Sequence, residues 1–169
     1  MAETYFIRDL LAAELELEVS KTRRLFEALP GGSAEFEFRP HERSMTLGRL
    51  AGHMADIYTL IVLTLTTNEL DMAAGWRPFT AMNRAELLER FEDRAERVRE
   101  AFQGISDQAF REPWSIRRGP NLLFSADRFT YYRNQGINQI VHHRAQLGTY
   151  IRALGLPLPG MYGASADGI

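Results

Sequence analysis

With 169 residues, 45% hydrophobic and 25% charged, the chain has the size and balance of one globular domain able to bury a core unaided. It contains no cysteine, which excludes disulfides, thiolate metal sites and a thiol nucleophile from the protein itself, and points to a reducing compartment. The net charge is −2, and the arginines are interleaved with acids, as in RFEDRAERVRE (90–100), so a basic nucleic-acid groove is not expected.

The N-terminal stretch MAETYFIRDLLAAELELEV carries early acids and no apolar run before a small-residue cleavage site, unlike a secretory leader. A first helix is expected from about Phe6 to Leu29, with Leu11, Leu15, Thr22, Leu25 or Phe26, and Leu29 at helical spacing; Pro30-Gly31-Gly32 stops it. Its acids Glu14, Glu16 and Glu18 read most simply as a solvated side, with Glu18 close to the apolar line. After a loop (31–45), Thr46 is placed to cap a second helix, LGRLAGHMADIYTLIVLTLTT, whose inner face carries Leu50, His53, Ile57 and Leu60 or Ile61. Its apolar run is too short and too rich in threonine to span a bilayer. Asn83 and Glu86 form a capping box for a third helix with the line Leu87, Phe91, Ala95, Val98, Phe102, closed by Gly104. In 105–126, WSIRRGPNLLF has a Gly-Pro-Asn turn between two apolar pieces and admits a small hairpin. A fourth helix is expected over roughly 125–154, ended by Gly155 and Pro157.

The expected fold class is all-α: a single domain over 1–169, a four-helix bundle with two long connections that let neighbouring helices run parallel, and the small hairpin before the last helix.

Two of the four histidines are adjacent, in NQIVHHRAQLGTYIRALG (138–155). Successive helical residues point about 100° apart, so only one of them faces the interior. The line Phe129, Tyr132, Gly136, Ile140 or Gln139, His143, Leu147 selects His143. His53 lies on the inner face of the second helix, and Gln139 stands one turn before His143 on the same side. Two imidazoles from facing helices, with an amide oxygen nearby, are the kind of donors that hold a transition metal inside a bundle; the same residues read as well as hydrogen-bonded core groups. Periodicity leaves their relative heights open. Tyr132 could bring a hydroxyl near the site. His41 reads as structural, Arg144 and Gln146 as ties to a neighbouring helix, and Trp114 and Tyr131 as core or pocket wall.

The segments RPHERSMTLGRLAGHMADI (39–57) and NQIVHHRAQLGTYIRALGLPLPGMYGASAD (138–167), with ELELEVSKTRRLFEALP and PWSIRRGPNLLF between and before them, resemble the DinB/YfiT-like family. The resemblance implies a four-helix bundle holding a divalent metal, nickel or zinc, on three histidines: one on the second helix and two spaced by four on the last. Carried onto this chain, these positions fall on His53, His143 and residue 139, which here is Gln139. An amide oxygen is a harder, weaker donor than imidazole, so this substitution weakens the implied site; Glu18 or Asp56 could complete a sphere but have no motif behind them.

Two functions follow from that resemblance. The first is a metal-dependent thiol S-transferase or related detoxifying enzyme, similar to the family's bacillithiol S-transferases and mycothiol-dependent isomerase, in which the metal lowers the pKa of a low-molecular-weight thiol. The second is a non-catalytic small-molecule-binding or dimerisation bundle whose metal site is degenerate at Gln139. Either way the expected partners are a small-molecule substrate and a second copy of the chain, with neither nucleic acid nor membrane, in the cytoplasm. Motifs for nucleotide hydrolysis, zincin proteolysis and α/β-hydrolase chemistry are missing from the sequence.

Overall fold

The structure, a computed structural model, describes residues 6–168; the first five residues of the stretch read as lacking a leader lie outside it. Helix α1 spans Ile7–Glu27, α2 Leu47–Thr66 and α3 Arg84–Gly104. The fourth helical element is compound: one turn, α4 (Arg128–Tyr131), a π-helical turn (Tyr132–Ile137), then α5 (Asn138–Ala153).

Cross-helix contacts fix the directions. Arg23 meets Glu92 while Glu16 meets Arg99, so α1 and α3 are antiparallel. Tyr58 stacks edge-on to Phe91, and Leu65 and Ala101 line one groove further along, so α2 and α3 run parallel. Tyr132 reaches Leu11 while Arg144 reaches Glu18, so α1 and the fourth helix run parallel. The order is therefore up-down-down-up. Leu25, Phe26, Tyr58 and Phe91 sit fully buried at the centre, each large apolar side chain contributing about 1.5–3 kcal/mol of transfer free energy.

Caps account for the helix ends. Thr46 accepts the Arg49 N–H at 3.1 Å, and Asn83 accepts the Glu86 N–H at 2.9 Å. Glu86 reaches back one residue further than a capping box requires, to the Met82 N–H. Gly155 takes φ +72° after α5, the left-handed stop that glycine adopts freely. The C-terminal end of α2 is capped by a side chain from far along the chain: buried Arg128 donates to the Thr64 and Thr67 carbonyls and to Asn68 Oδ1.

The all-α fold class is corrected by a three-stranded sheet. Strands β2 (Pro113–Arg118) and β3 (Asn121–Asp127) form an antiparallel hairpin through Gly119, and β1 (Glu69–Asp71) pairs parallel to β2, giving the order β1-β2-β3. Strand β3 runs to Asp127, which caps α4 by accepting the Thr130 N–H at 2.8 Å, so residues 125–127 are strand and not helix. Trp114 is fully buried beside Tyr131 and donates to Thr67 Oγ1, pinning the sheet to the end of α2.

The π-helical turn changes which residues face inward. A wider turn shifts the helical phase upstream of it, so Phe129, expected on the apolar line, is 42% exposed, while Tyr131 is buried as expected of a core or pocket-wall residue. Gly136 lies in this turn against Ile61 of α2; a Cβ there would stand 3.0 Å from Ile61 Cγ1.

Candidate functional site

Helix α2 presents its site residues from a glycine-lined surface. Gly48 and Gly52, one turn apart, receive the backbone of residues 79–81: a Cβ would come within 2.2 Å of the Ala81 carbonyl oxygen at Gly48 and 2.5 Å of the Phe79 carbonyl oxygen at Gly52. The Ala81 N–H donates to the Gly48 carbonyl at 3.1 Å. That close packing holds the segment against the turn of α2 that carries Arg49 and His53.

His53 and His143 meet across the α2–α5 interface with ring centres 4.7 Å apart and planes at 78°. His143 is buried and His53 half-buried. His143 Nδ1 lies 2.7 Å from Gln146 Oε1. A carbonyl oxygen there accepts Nδ1–H, which leaves the Nε2 lone pair of the neutral ring free. Both imidazoles are held neutral. Burial, then His143, then the cation of Arg49 push the His53 pKa down to about 4. Burial also lowers His143, opposed by the Gln146 contact and aided by His142.

The other candidates fall into different places. Gln139 is half-buried, one turn before His143 on α5, and no hydrogen bond fixes its amide among the described residues. His142 points out of the bundle and is exposed. His41 is exposed and accepts the Arg43 N–H in its own loop. The Tyr132 hydroxyl is spent on the Leu11 carbonyl at 3.0 Å, on the α1 side of the bundle. Asp56 is buried, bonded to the Phe79 N–H at 2.8 Å with Arg90 at 3.6 Å; burial raises its pKa against the pull of these partners. Glu18 is not on a solvated side: it is buried and paired with Arg144, Lys21 and the Tyr162 hydroxyl. Arg144 thus ties α5 to α1, whereas Gln146 bonds within α5 to His143. No cluster of three or more histidine, aspartate or glutamate side chains suited to a metal ion forms among the described residues.

A groove of about 510 Å³ between α1 and α3 contains neither histidine, and its charged walls are internally paired, Arg8 with Asp9 and Arg99 with Glu16. At the imidazole pair, by contrast, polar groups are left with capacity to spare.

Residues 14–146 match the DinB superfamily. The chain belongs to that superfamily. Two solved DinB-like proteins share the fold. One, from Bacillus cereus ATCC 10987, is 18% identical with a TM-score of 0.69, covering 90% of this chain and 95% of its own. The other, YjoA from Bacillus subtilis, is 13% identical with a TM-score of 0.68, covering 91% and 99%. No curated protein matches the chain. In this DinB superfamily member, no described helix is long and apolar enough to cross a membrane.

Proposed function

We propose that His53 and His143 hold a divalent metal, nickel or zinc, and that the protein is a metal-dependent thiol S-transferase or a related detoxifying enzyme acting on a small molecule. The approach of two neutral imidazoles from different helices carries this reading. Two imidazoles that share an ion at about 2.0–2.1 Å hold their ring centres roughly 4.5–5.2 Å apart, and 4.7 Å falls in that range. Gln146 orients His143 as an outer partner orients a metal ligand. Gln139 would be the third, weaker donor. A bound ion would supply Lewis acidity, stabilising a low-molecular-weight thiol as its thiolate. The protein's own residues bind and orient: Gln146 fixes one ring, and burial keeps both rings deprotonated at neutral pH. The proposal extends to a cytoplasmic homodimer, checked by sedimentation and fractionation.

The amide at position 139 supports a second reading, a non-catalytic binding or dimerisation bundle with a degenerate metal site. One experiment separates the two. Protein made without a histidine tag is incubated with nickel, zinc or manganese, desalted and analysed for metal. The first reading expects one equivalent, lost in His53→Ala and in His143→Ala. A natural protein that retains none, with uptake appearing only in Gln139→His, overturns the first reading in favour of the second.

A further inference from the structure

We propose that Arg49, with the His53–His143 pair, forms a recognition site for the anionic group of the small-molecule substrate, a carboxylate or phosphate, with Arg49 supplying the cation. This inference rests on the pair being the working centre, as proposed above, and it adds the chemical class of what binds there.

The argument starts from where the arginines are spent. Arg23, Arg90, Arg99, Arg128, Arg133 and Arg144 each meet a carboxylate. Arg84 is half-buried without an acidic partner, but it caps α1 through the Glu27 and Leu29 carbonyls. Arg49 is also half-buried, and among the described residues it forms no ion pair. Among the described residues its guanidinium makes one hydrogen bond, from Nη1 to the Phe79 carbonyl at 3.3 Å. A guanidinium has five N–H donors in a planar fork matched to carboxylate and phosphate, so four remain available.

Helical spacing places Arg49 one turn before His53 on the same face of α2. The carboxylate within electrostatic reach of Arg49 is Asp56, but the Phe79 N–H and Arg90 hold that group, and Asp56 makes no ion pair with Arg49. A half-buried cation beside two neutral imidazoles, felt by the Asp56 carboxylate only at a distance and in no ion pair among the described residues, keeps most of its donors for a ligand. The packing of 79–81 on Gly48 and Gly52 fixes the carbonyl that steadies the fork, so Arg49 is preorganised.

The test uses the full chain stripped of metal on a chelating resin, followed by NMR of the imidazole resonances. Malonate, inorganic phosphate and neutral malonamide are titrated separately at constant ionic strength. At least one anion is expected to shift the His53 and His143 signals saturably, with malonamide silent; which anion acts separates carboxylate from phosphate. Arg49→Gln is expected to weaken that binding at least tenfold, and Arg49→Lys to recover part of it. The absence of a saturable shift with either anion in the natural protein overturns the inference, as does equal response to malonamide. So does an Arg49→Gln variant that melts like the natural protein and binds within twofold of it. Since no metal is present, failure here is distinct from failure to take up metal: anion binding without metal uptake rejects only the metal reading, and metal uptake without anion binding rejects only this one.

Discussion

Residues 143 and 144 are neighbours on α5, yet they serve opposite kinds of cluster. His143 faces α2 and meets His53: two neutral rings, one hydrogen bond to Gln146, and a cation nearby with no ion pair among the described residues. Arg144 faces α1 and enters a saturated network. Its guanidinium donates to the Glu18 carboxylate and backbone carbonyl, to Thr22 and to the Tyr162 hydroxyl; Lys21 holds the other Glu18 oxygen at 2.9 Å, and Tyr58 reaches Thr22 at 3.2 Å. A buried charge survives only where its partners are complete. The α1 side meets that condition and reads as structural. The α2 side leaves donors and lone pairs unspent, and there the fold keeps capacity for a ligand.

The largest expected effect tests whether the saturated side is structural. Arg144→Met leaves Glu18 buried without its main partner and is expected to destabilise the protein by about 3–5 kcal/mol, read by urea denaturation. Replacing His53 by Leu, similar in volume and half-buried, should stay within about 1.5 kcal/mol. If His53→Leu proves as costly as Arg144→Met, the imidazole pair is core architecture and the contrast collapses.

Acid titration sharpens the same contrast, because the two clusters respond in different windows. The His53 pKa falls from its ordinary 6.5 to about 4. A base whose pKa is lowered by folding contributes stability above its unfolded value and loses that contribution as pH drops toward the folded one. The metal-free protein is therefore expected to weaken between pH 6.5 and about 4, with His143 shifted in the same sense. Burial pushes Glu18 upward, but Arg144, Lys21 and Tyr162 outweigh it and hold the carboxyl below its usual range. Its contribution persists above the unfolded carboxylate value and fails only as pH falls below that. Denaturant midpoints measured from pH 7 to 3 should show the earlier loss shrink in His53→Leu and the later loss remain. A His53→Leu protein with an unchanged profile between pH 6.5 and 4 contradicts the assignment.

The bundle, its caps and the inward choice of His53 and His143 were legible because 3.6-residue periodicity and cap residues are local signals. The sheet was half legible. The hairpin has its Gly-Pro turn, but β1 is three residues long and pairs across 46 positions of chain, Glu69 with Ser115, too short for alternation to register. The π-helical turn has no reliable sequence signal, and it is why Phe129 leaves the apolar line for the surface. Glu18 read as solvated because its partners, Arg144 and Tyr162, lie more than a hundred residues away. Arg49 did carry a signal. No acid stands three or four residues to either side of it, so helix-local pairing could never neutralise it, and glycines at 48 and 52 mark a close backbone approach.

The smallest effect concerns Tyr162, which joins the saturated cluster from the irregular segment that follows α5. Its hydroxyl donates to Glu18 at 2.8 Å and accepts from Arg144, while its ring lies 4.4 Å from the Lys21 ammonium. The residue is nonetheless 65% exposed, so water can replace the hydroxyl at the rim while the Glu18–Arg144 pair stays intact. Tyr162→Phe keeps the ring over Lys21 and removes one shared hydroxyl, a loss of about 0.5–1.5 kcal/mol. Metal uptake and the anion response at Arg49 should not move, since both belong to the opposite face of α5. A Tyr162→Phe protein as unstable as Arg144→Met would make Tyr162 the keystone of the ionic cluster. One that loses ligand binding with stability unchanged would join the two faces of α5 into a single site.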